Sequence, residues 1–176
     1  MSSYFIGYDL GSSSLKTALV AADTGEVVAV VKTPSEEMEI LAPRAGWAEQ
    51  DPEVFYAALC TACRRLWKRN GVRPERLAGI ALTTQRGSVV NVDKDGRPLR
   101  PAMMWLDQRK TYGQTPVGGL WGLIFKMARL TETVAYLQQE AEANWIRTYQ
   151  PEIWKKTHKY LLLSGYLTYR LTGQFV

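Results

Sequence analysis

The sequence predicts an α/β fold in which a mixed sheet opens with a three-stranded antiparallel meander and is flanked by helices. Three short apolar runs come first, at 4–8, 15–21 and 27–32, and polar turns containing glycine separate them. An amphipathic stretch follows at 52–70, and beyond it further apolar runs alternate with turns. This order of elements indicates one α/β domain, for which the length of 176 residues is ordinary.

The turn between the first two strands carries the residue types of a phosphate site. Glycine permits close approach of the backbone, successive turn N–H groups favour an anion, and hydroxyls and an ammonium add donors. A carboxylate beside a phosphate needs a cation between them, which predicts Mg²⁺. The predicted residues are Gly11, Ser12, Ser13, Ser14 and Lys16 for the phosphate and Asp9, at the end of strand Tyr4–Tyr8, for the metal.

Local composition leaves an alternative for this turn, a plain hairpin with a polar turn and an exposed aspartate. Two common phosphate motifs are excluded, because neither GxxxxGK[ST] nor GxGxxG occurs in the sequence. A phosphate site at this position would therefore be built on a β-hairpin.

A helix is predicted at 52–70. Asp51 suits its N-cap, Pro52 its first turn and Gly71 its end. The apolar spacing predicts one buried stripe, formed by Phe55, Ala58, Leu59, Ala62 and Leu66. Trp47 and Glu49 lie in the loop before the helix. They either contact a ligand or make structural contacts that fix the start of the helix.

Two polar clusters follow apolar runs in the middle of the chain. The run Leu77–Thr83 is predicted as a buried strand, and Gln85 and Arg86 come after it. The run Ala102–Leu106 is predicted as a second strand and ends at Asp107. Because ligands bind beyond strand ends in open α/β sheets, Arg86, Trp105 and Asp107 are candidate substrate residues. Taken singly, each also fits a surface ion pair or a packed aromatic.

The remaining sequence predicts a loop and then helices. Four glycines and a proline predict a flexible loop at 112–122, and the pattern beyond it is helical almost to the end. Tyr160, Leu163, Leu167 and Leu171 are expected to line one last helix that stops at Gly173.

Composition narrows the class of protein. The net charge of +5 comes from scattered basic residues, which indicates an anionic small substrate and neither nucleic acid nor a membrane as partner. We expect no transmembrane segment and no signal peptide. Cys60 and Cys63 are expected to be reduced thiols, since a four-ligand zinc site is hard to assemble with one histidine. Together these features predict a cytoplasmic protein.

Six motifs occur in a specific order. They are DxGSSSxK at 9–16, GWAEQDP at 46–52, TQRG at 84–87, WLDQR at 105–109, PEIW at 151–154 and YLTYRLTG at 166–173. In this order and spacing they resemble the N-terminal domain of the FGGY carbohydrate kinases over essentially the whole chain. The first motif also resembles the phosphate hairpin of the superfamily of actin, hexokinase and the heat-shock chaperone ATPases. The resemblance implies that 1–176 form an incomplete N-terminal, sugar-binding domain of the ribonuclease-H-like fold. It also implies transfer of the ATP γ-phosphoryl group to a sugar or polyol hydroxyl.

The resemblance also implies residue roles. Asp9 would hold Mg²⁺ through water, the hairpin residues would bind the phosphates, and Lys16 would stand near the transferred phosphate. Gln85 and Arg86 would belong to the substrate loop. Trp105 would pack on the substrate carbon chain, and Asp107 would lie beside the substrate pocket. ATP and Mg²⁺ are the implied cofactors, a sugar or polyol is the implied substrate, and a homodimer of the full-length protein is the implied assembly.

Several positions differ from the family pattern. Gly87 replaces the glutamate of glycerol kinases, and Gln85 and Arg86 replace the Met-His pair of xylulokinases. Glu142 and Gly165 replace a usual lysine and aspartate. The family's catalytic aspartate and its adenosine-binding second domain are expected downstream of Val176. We therefore predict no catalytic residue in this chain and little or no activity from it alone.

Three other functions remain open from the sequence. An actin-like or chaperone-like ATPase module shares the hairpin but does not account for the WLDQR and YLTYRLTG motifs. A ribonuclease-H-like nuclease would use Asp9 and Asp107 to hold two metals. A truncated regulatory pseudokinase would need no downstream motifs.

Overall fold

A computed structural model describes residues 3–175, so the outermost residues of the predicted domain, 1–2 and 176, lie outside the described residues. The strands are β1 (Tyr4–Leu10), β2 (Leu15–Ala21), β3 (Val27–Thr33), β4 (Glu49–Gln50), β5 (Leu77–Thr84), β6 (Val89–Val92), β7 (Ala102–Met103) and β8 (Lys159–Leu162). The helices are α1 (Pro52–Asn70), α2 (Gly119–Met127), α3 (Thr131–Glu140), α4 (Glu142–Tyr149), α5 (Pro151–Lys156) and α6 (Leu163–Thr172).

The strands form two sheets. The first has the order β3-β2-β1-β5, in which β1, β2 and β3 pair antiparallel and β5 runs parallel to β1. The predicted meander and the mixed sheet are therefore confirmed. The second sheet has the order β4-β7-β6-β8 and its pairs are antiparallel.

Helix α1 covers one face of the first sheet, and its predicted signals are confirmed. The Asp51 side chain accepts a hydrogen bond from the Glu53 N–H at 2.9 Å, and Gly71 ends the helix in the left-handed conformation with φ +61°. The predicted stripe is buried, and it packs against the inward-facing residues of the sheet, among them Ile6, Tyr8, Leu10, Leu15 and Leu19. This contact forms the main core.

A polar clasp joins α1 to α6. Glu53 accepts hydrogen bonds from Arg170 and from the hydroxyl of Tyr166, the latter at 2.6 Å. The Arg170 guanidinium also lies 4.0 Å from the ring centroid of Tyr56. The bond from Arg170 lowers the pKa of the Glu53 carboxyl. The clasp therefore links the two helices through a charged contact that depends on pH.

We expect Glu53→Gln to lower the free energy of unfolding at neutral pH by about 0.2–1 kcal/mol, since Glu53 is partly exposed. Because folding lowers the pKa of Glu53, its contribution is present above the unfolded pKa and is lost as pH falls through the folded pKa. The difference between wild type and Glu53→Gln in urea unfolding should thus shrink below about pH 4.5. A difference that stays constant down to pH 3 would contradict the role given to the clasp.

The strand predicted as buried at Leu77–Thr83 is instead a half-exposed edge strand, β5 (Leu77–Thr84). Ile80 is 48% exposed, and Ala81 and Thr83 are exposed as well. The prediction was wrong because an apolar run does not distinguish a buried central strand from a half-exposed edge strand. No strand among residues 3–175 pairs with the outer edge of β5.

The predicted strand Ala102–Leu106 is shorter than expected. Only Ala102–Met103 forms β7, because the Asp107 N–H closes a turn on the carbonyl of Met104. The two polar clusters also follow strands of different sheets, β5 of the first and β7 of the second.

The last predicted helix, which was expected to include Tyr160, begins later than predicted. The loop predicted at 112–122 is shorter than predicted. Lys159–Leu162 forms β8, which pairs antiparallel with β6, and α6 begins only at Leu163. Long-range pairing with β6 overrides the local helical spacing. Helix α2 begins at Gly119, inside the segment predicted as a loop.

Helices α2 and α3 form an exposed hairpin, and neither contains a buried residue. Its large apolar side chains face outward, with Leu120 72% and Met127 77% exposed. Among the described residues, no helix combines the length and hydropathy needed to cross a bilayer.

Candidate functional site

The turn between β1 and β2 presents opposite charges on the outer face of the first sheet. Asp9 and Lys16 are directly opposite in the antiparallel register, and both are exposed. Strand alternation places them on the face opposite to the buried Tyr8 and Leu10. Neither makes an ion pair with any residue in 3–175, so carboxylate and ammonium are both available to a ligand.

Hydrogen bonds from the segment that precedes α1 fix the conformation of this turn. The Gly11 N–H closes the turn on the carbonyl of Ser14 at 3.0 Å. The Gln50 amide donates to the carbonyl of Ser12 at 3.1 Å, and the Met38 N–H donates to the carbonyl of Ser13 at 2.8 Å. Sequence reasoning missed the role of Gln50, although it stands in the GWAEQDP motif.

The Gln85–Arg86 corner lies directly beside the turn. The Gln85 N–H donates to the carbonyl of Leu10 at 2.8 Å, at the end of β1. Arg86 is exposed and forms no ion pair with the described residues. Its guanidinium can thus donate to the hydroxyls of a bound molecule.

The WLDQR corner contacts the Gln85–Arg86 corner. The Trp105 N–H donates to the hydroxyl of Ser88 at 3.3 Å, and a Cβ added at Gly87 would lie 3.3 Å from Cβ of Trp105. The positive φ of Gly87, +74°, also favours glycine there. Trp105 is 54% exposed, and its ring offers the corner a flat apolar surface.

Asp107 is not open to a ligand, because its carboxylate is saturated by hydrogen bonds. Its Oδ1 accepts from the Arg109 backbone N–H at 3.0 Å and from Arg109 Nε at 2.8 Å. Its Oδ2 accepts from Arg109 Nη2 at 2.7 Å and from the Ala48 N–H at 2.8 Å. The structure thus ties Asp107 to the loop before α1.

A buried charge network continues from Asp107. Glu49 Oε1 accepts from Arg109 Nη1 at 2.9 Å and from Arg100 Nη2 at 2.5 Å. Burial lowers the pKa of Arg100, which remains paired with Glu49. Two cations and two carboxylates therefore balance in one cluster between β4, β7 and the WLDQR turn.

Two tryptophans flank Arg109 in this network. Its guanidinium lies 4.1 Å from the ring centroid of Trp47 and 4.5 Å from that of Trp145. Of the two roles left open for Trp47 and Glu49, the structure shows a packing and ion-pairing one at the helix entry. Trp145 was not identified from the sequence, because its contact with Arg109 spans residues far apart in the chain.

The three predicted corners are therefore contiguous, linked from Leu10 through Gln85 and Ser88 to Trp105. Such an arrangement can place an anion at the hairpin next to a hydroxyl-bearing molecule at Arg86 and Trp105. The ligand roles of the individual residues stay predictions.

Known proteins resemble the chain over nearly its whole length. The family model described as "FGGY family of carbohydrate kinases, N-terminal domain" matches residues 4–176. Xylulose kinase from Lactococcus lactis is 32% identical over 174 residues, covering 97% of this chain and 33% of that protein. Xylulose kinase from Staphylococcus xylosus is 30% identical over 170 residues, covering 97% of this chain and 34% of that protein.

Solved structures confirm the fold. Xylulose kinase from Rhodospirillum rubrum has a TM-score of 0.74 at 25% identity, covering 98% of this chain and 35% of that one. Glycerol kinase from Plasmodium falciparum, at 18% identity, shares the fold with a TM-score of 0.68. The ribonuclease-H-like α/β fold predicted from the motifs is thereby confirmed. The chain spans about a third of the length of the relatives that it matches.

Proposed function

Since the chain belongs to the FGGY family of carbohydrate kinases, we propose that it forms the sugar-binding part of an enzyme that phosphorylates a sugar or polyol with ATP. The observation that carries this proposal is the contiguity of the hairpin, the Gln85–Arg86 corner and Trp105. A phosphoryl donor and a hydroxyl acceptor must be adjacent for transfer, and these corners supply adjacent places for them.

The hairpin residues have the chemistry for the donor side. Gly11, Ser12, Ser13 and Ser14 would offer N–H and hydroxyl donors to phosphate oxygens, and Lys16 an ammonium. The exposed carboxylate of Asp9 fits Mg²⁺ that is also bound by water and nucleotide phosphate. No cluster of three metal-ligating side chains exists among the described residues, so one carboxylate suits a nucleotide-borne ion better than a protein-held one. Such an ion would neutralise phosphate charge.

The acceptor side would use the exposed residues of the other two corners. Arg86 and Gln85 would hydrogen-bond hydroxyls, and the ring of Trp105 would pack on the carbon chain. Asp107 would act indirectly, because its bonds to Arg109 and Ala48 fix the turn that carries Trp105.

Phosphoryl transfer depends on positioning from both sides, and it needs a base on the hydroxyl. We propose that residues 1–176 belong to an N-terminal sugar-binding domain, that a downstream motif supplies the base and that a second domain supplies the adenosine pocket. The exposed outer face of β5 and the exposed α2–α3 hairpin are surfaces that such a domain would cover. Purified chain alone should show no ATP-dependent phosphorylation of any sugar.

The particular sugar is set by the second and third corners. The relatives named xylulose kinase make xylulose the first substrate to test. Gln85 and Arg86 differ from the Met-His pair expected of xylulokinases, and Gly87 differs from the glutamate of glycerol kinases. A panel of pentuloses, hexuloses, polyols and sugar acids would decide among them.

We place the protein in the cytoplasm, since Cys60 and Cys63 are free thiols. Cys63 lies 2.6 Å from the hydroxyl of Tyr8, and burial raises the pKa of its thiol. ATP and the sugar are the proposed partners, and the full-length protein is proposed to be a homodimer that binds neither nucleic acid nor membrane.

Arg86→Ala in the full-length protein should raise the KM for the sugar roughly 10- to 100-fold, because a hydrogen bond to a charged group contributes about 1.5–3 kcal/mol. Steady-state kinetics at saturating ATP would measure it. Arg97→Ala, another exposed arginine away from the corners, serves as the matched control and should leave KM unchanged.

Asp9→Ala in the same protein should lower kcat at least tenfold, which raises the activation free energy by about 1.4 kcal/mol or more, while leaving sugar affinity nearly unchanged. The residue would act on the donor side, so sugar binding measured calorimetrically should survive the substitution. Parent-like kinetics in both variants would contradict the site.

A further inference from the structure

A second cavity, which we call the tryptophan cavity, lies beside the loop that precedes α1. Its volume is about 590 Å³, within the range of small-molecule sites. Neither Gln85, Arg86, Trp105 nor Asp107 lines it. The side chains that define it are those of Arg44, Trp47, Gln108, Arg109, Lys110, Tyr112, Trp145, Tyr149 and Gln150.

Aromatic rings form one wall of the tryptophan cavity. Trp47 and Trp145 meet edge to face, with centroids 5.4 Å apart and an angle of 84° between their planes. The ring of Tyr149 lies 5.4 Å from that of Trp145. Rings held at an angle make a concave apolar corner, which suits the C–H face of a saturated ring compound.

The charges that line the cavity are positive. Its charged lining residues are Arg44, Arg109 and Lys110, and no carboxylate is among the described residues that line it. Arg109 is neutralised by the buried network, and Lys110 pairs with Glu140 at 2.7 Å. Arg44 has no ion pair with any residue between 3 and 175. The cavity thus carries one uncompensated cation.

The lining of the cavity also includes a residue with an unsatisfied hydrogen-bond acceptor. Gln150 Oε1 is buried and has no hydrogen-bond partner among the described residues. A buried amide oxygen without a donor is unfavourable, and rotation of the Gln150 side chain toward the cavity would let a ligand hydroxyl donate to it. The amide of Gln108, on the same lining, offers both a donor and an acceptor.

We propose that the tryptophan cavity binds an anionic monosaccharide, a sugar that carries one phosphate or carboxylate group, at a site separate from the Arg86 and Trp105 corners. Arg44 binds the anionic group, the exposed Tyr149 packs on the sugar ring beside the buried Trp145, and the Gln150 oxygen accepts from a hydroxyl. This proposal stands on the cavity and does not depend on the kinase function.

The test is titration of the purified 176-residue chain, followed by tryptophan fluorescence and calorimetry. The probes are ribose 5-phosphate, gluconate, neutral ribose and inorganic phosphate. We expect at least one anionic sugar to bind more tightly than ribose and inorganic phosphate. Arg44→Gln should weaken that binding at least tenfold, and Tyr149→Ala should weaken it too. Arg147→Gln, on α4 outside the cavity, is the matched control and should bind as wild type does.

Four results would overturn the proposal. The first is that neither anionic sugar binds at about 10 mM. The second and third are that ribose, or inorganic phosphate, binds as tightly as the anionic sugars. The fourth is that Arg86→Gln abolishes binding while Arg44→Gln does not. The last result would place the sugar at the proposed substrate corners instead. Because Arg44 is exposed, its replacement should not unfold the chain, and circular dichroism would verify this.

Discussion

Arg109→Met should lower the free energy of unfolding by about 3–5 kcal/mol, because removing one partner from a buried ion-pair network leaves the other charges uncompensated. Arg109 bonds both Asp107 and Glu49, and its guanidinium packs against the rings of Trp47 and Trp145. Methionine retains much of the side-chain volume, so the change reports mainly on the lost charge and hydrogen bonds.

Urea unfolding followed by tryptophan fluorescence would measure this effect. The matched control is Lys155→Met, which removes a cation from an exposed pair with Glu152 and should change stability by less than about 1 kcal/mol. If Arg109→Met were as stable as Lys155→Met, the network would not hold the WLDQR turn.

Gly96→Ala should destabilise the chain by about 2–5 kcal/mol, since two effects add. Gly96 has φ +76°, a conformation that L-residues adopt at a penalty. An added Cβ would also overlap the ring of Tyr169 on α6. That ring cannot easily move, because it stacks on Phe175 at 4.0 Å and its hydroxyl donates to the carbonyl of Asp95 at 3.0 Å.

A double-mutant cycle with Tyr169→Ala separates the two effects. In the Tyr169→Ala background the overlap is gone, and Gly96→Ala should destabilise by only about 1–2 kcal/mol, the contribution of the backbone conformation. Equal effects in both backgrounds would show that the ring yields and that the conformation alone matters. Thermal and urea unfolding of the four proteins would supply the cycle.

Local signals in the sequence were sufficient for the first half of the fold. Asp51, Pro52 and Gly71 mark the ends of α1 by hydrogen bonds within a few residues, so no knowledge of the rest of the chain is needed. The meander of β1, β2 and β3 is similarly local, because short turns join strands that pair with their neighbours.

The later elements depend on contacts that sequence patterns do not contain. Residues 159–162 form a strand only because β6, some 70 residues earlier, offers a free edge. The extent of β5 was predictable and its exposure was not, since burial depends on what covers the strand.

The candidate site divides in the same way. Asp9, Lys16, Arg86 and Trp105 were identified from motifs, and the structure leaves all of them exposed. Asp107 was expected beside a ligand, but its carboxylate bonds a loop that lies 59 residues away in the chain. Trp145 packs on Arg109, and Gln50 donates to the carbonyl of Ser12. Both partners are distant in the sequence, so the spacing of residue types did not indicate these contacts.

The open rim of the first sheet has a practical consequence for work on the isolated chain. No strand within 3–175 pairs with the N–H and C=O groups along the outer edge of β5, so they can pair with a strand of another molecule, and the exposed apolar side chains next to them favour this. Electrostatic repulsion from a net charge of +5 opposes it and weakens as salt is added. The isolated chain should therefore aggregate most readily at high protein and salt concentrations. A charged replacement on β5, such as Ile80→Lys, should reduce this aggregation.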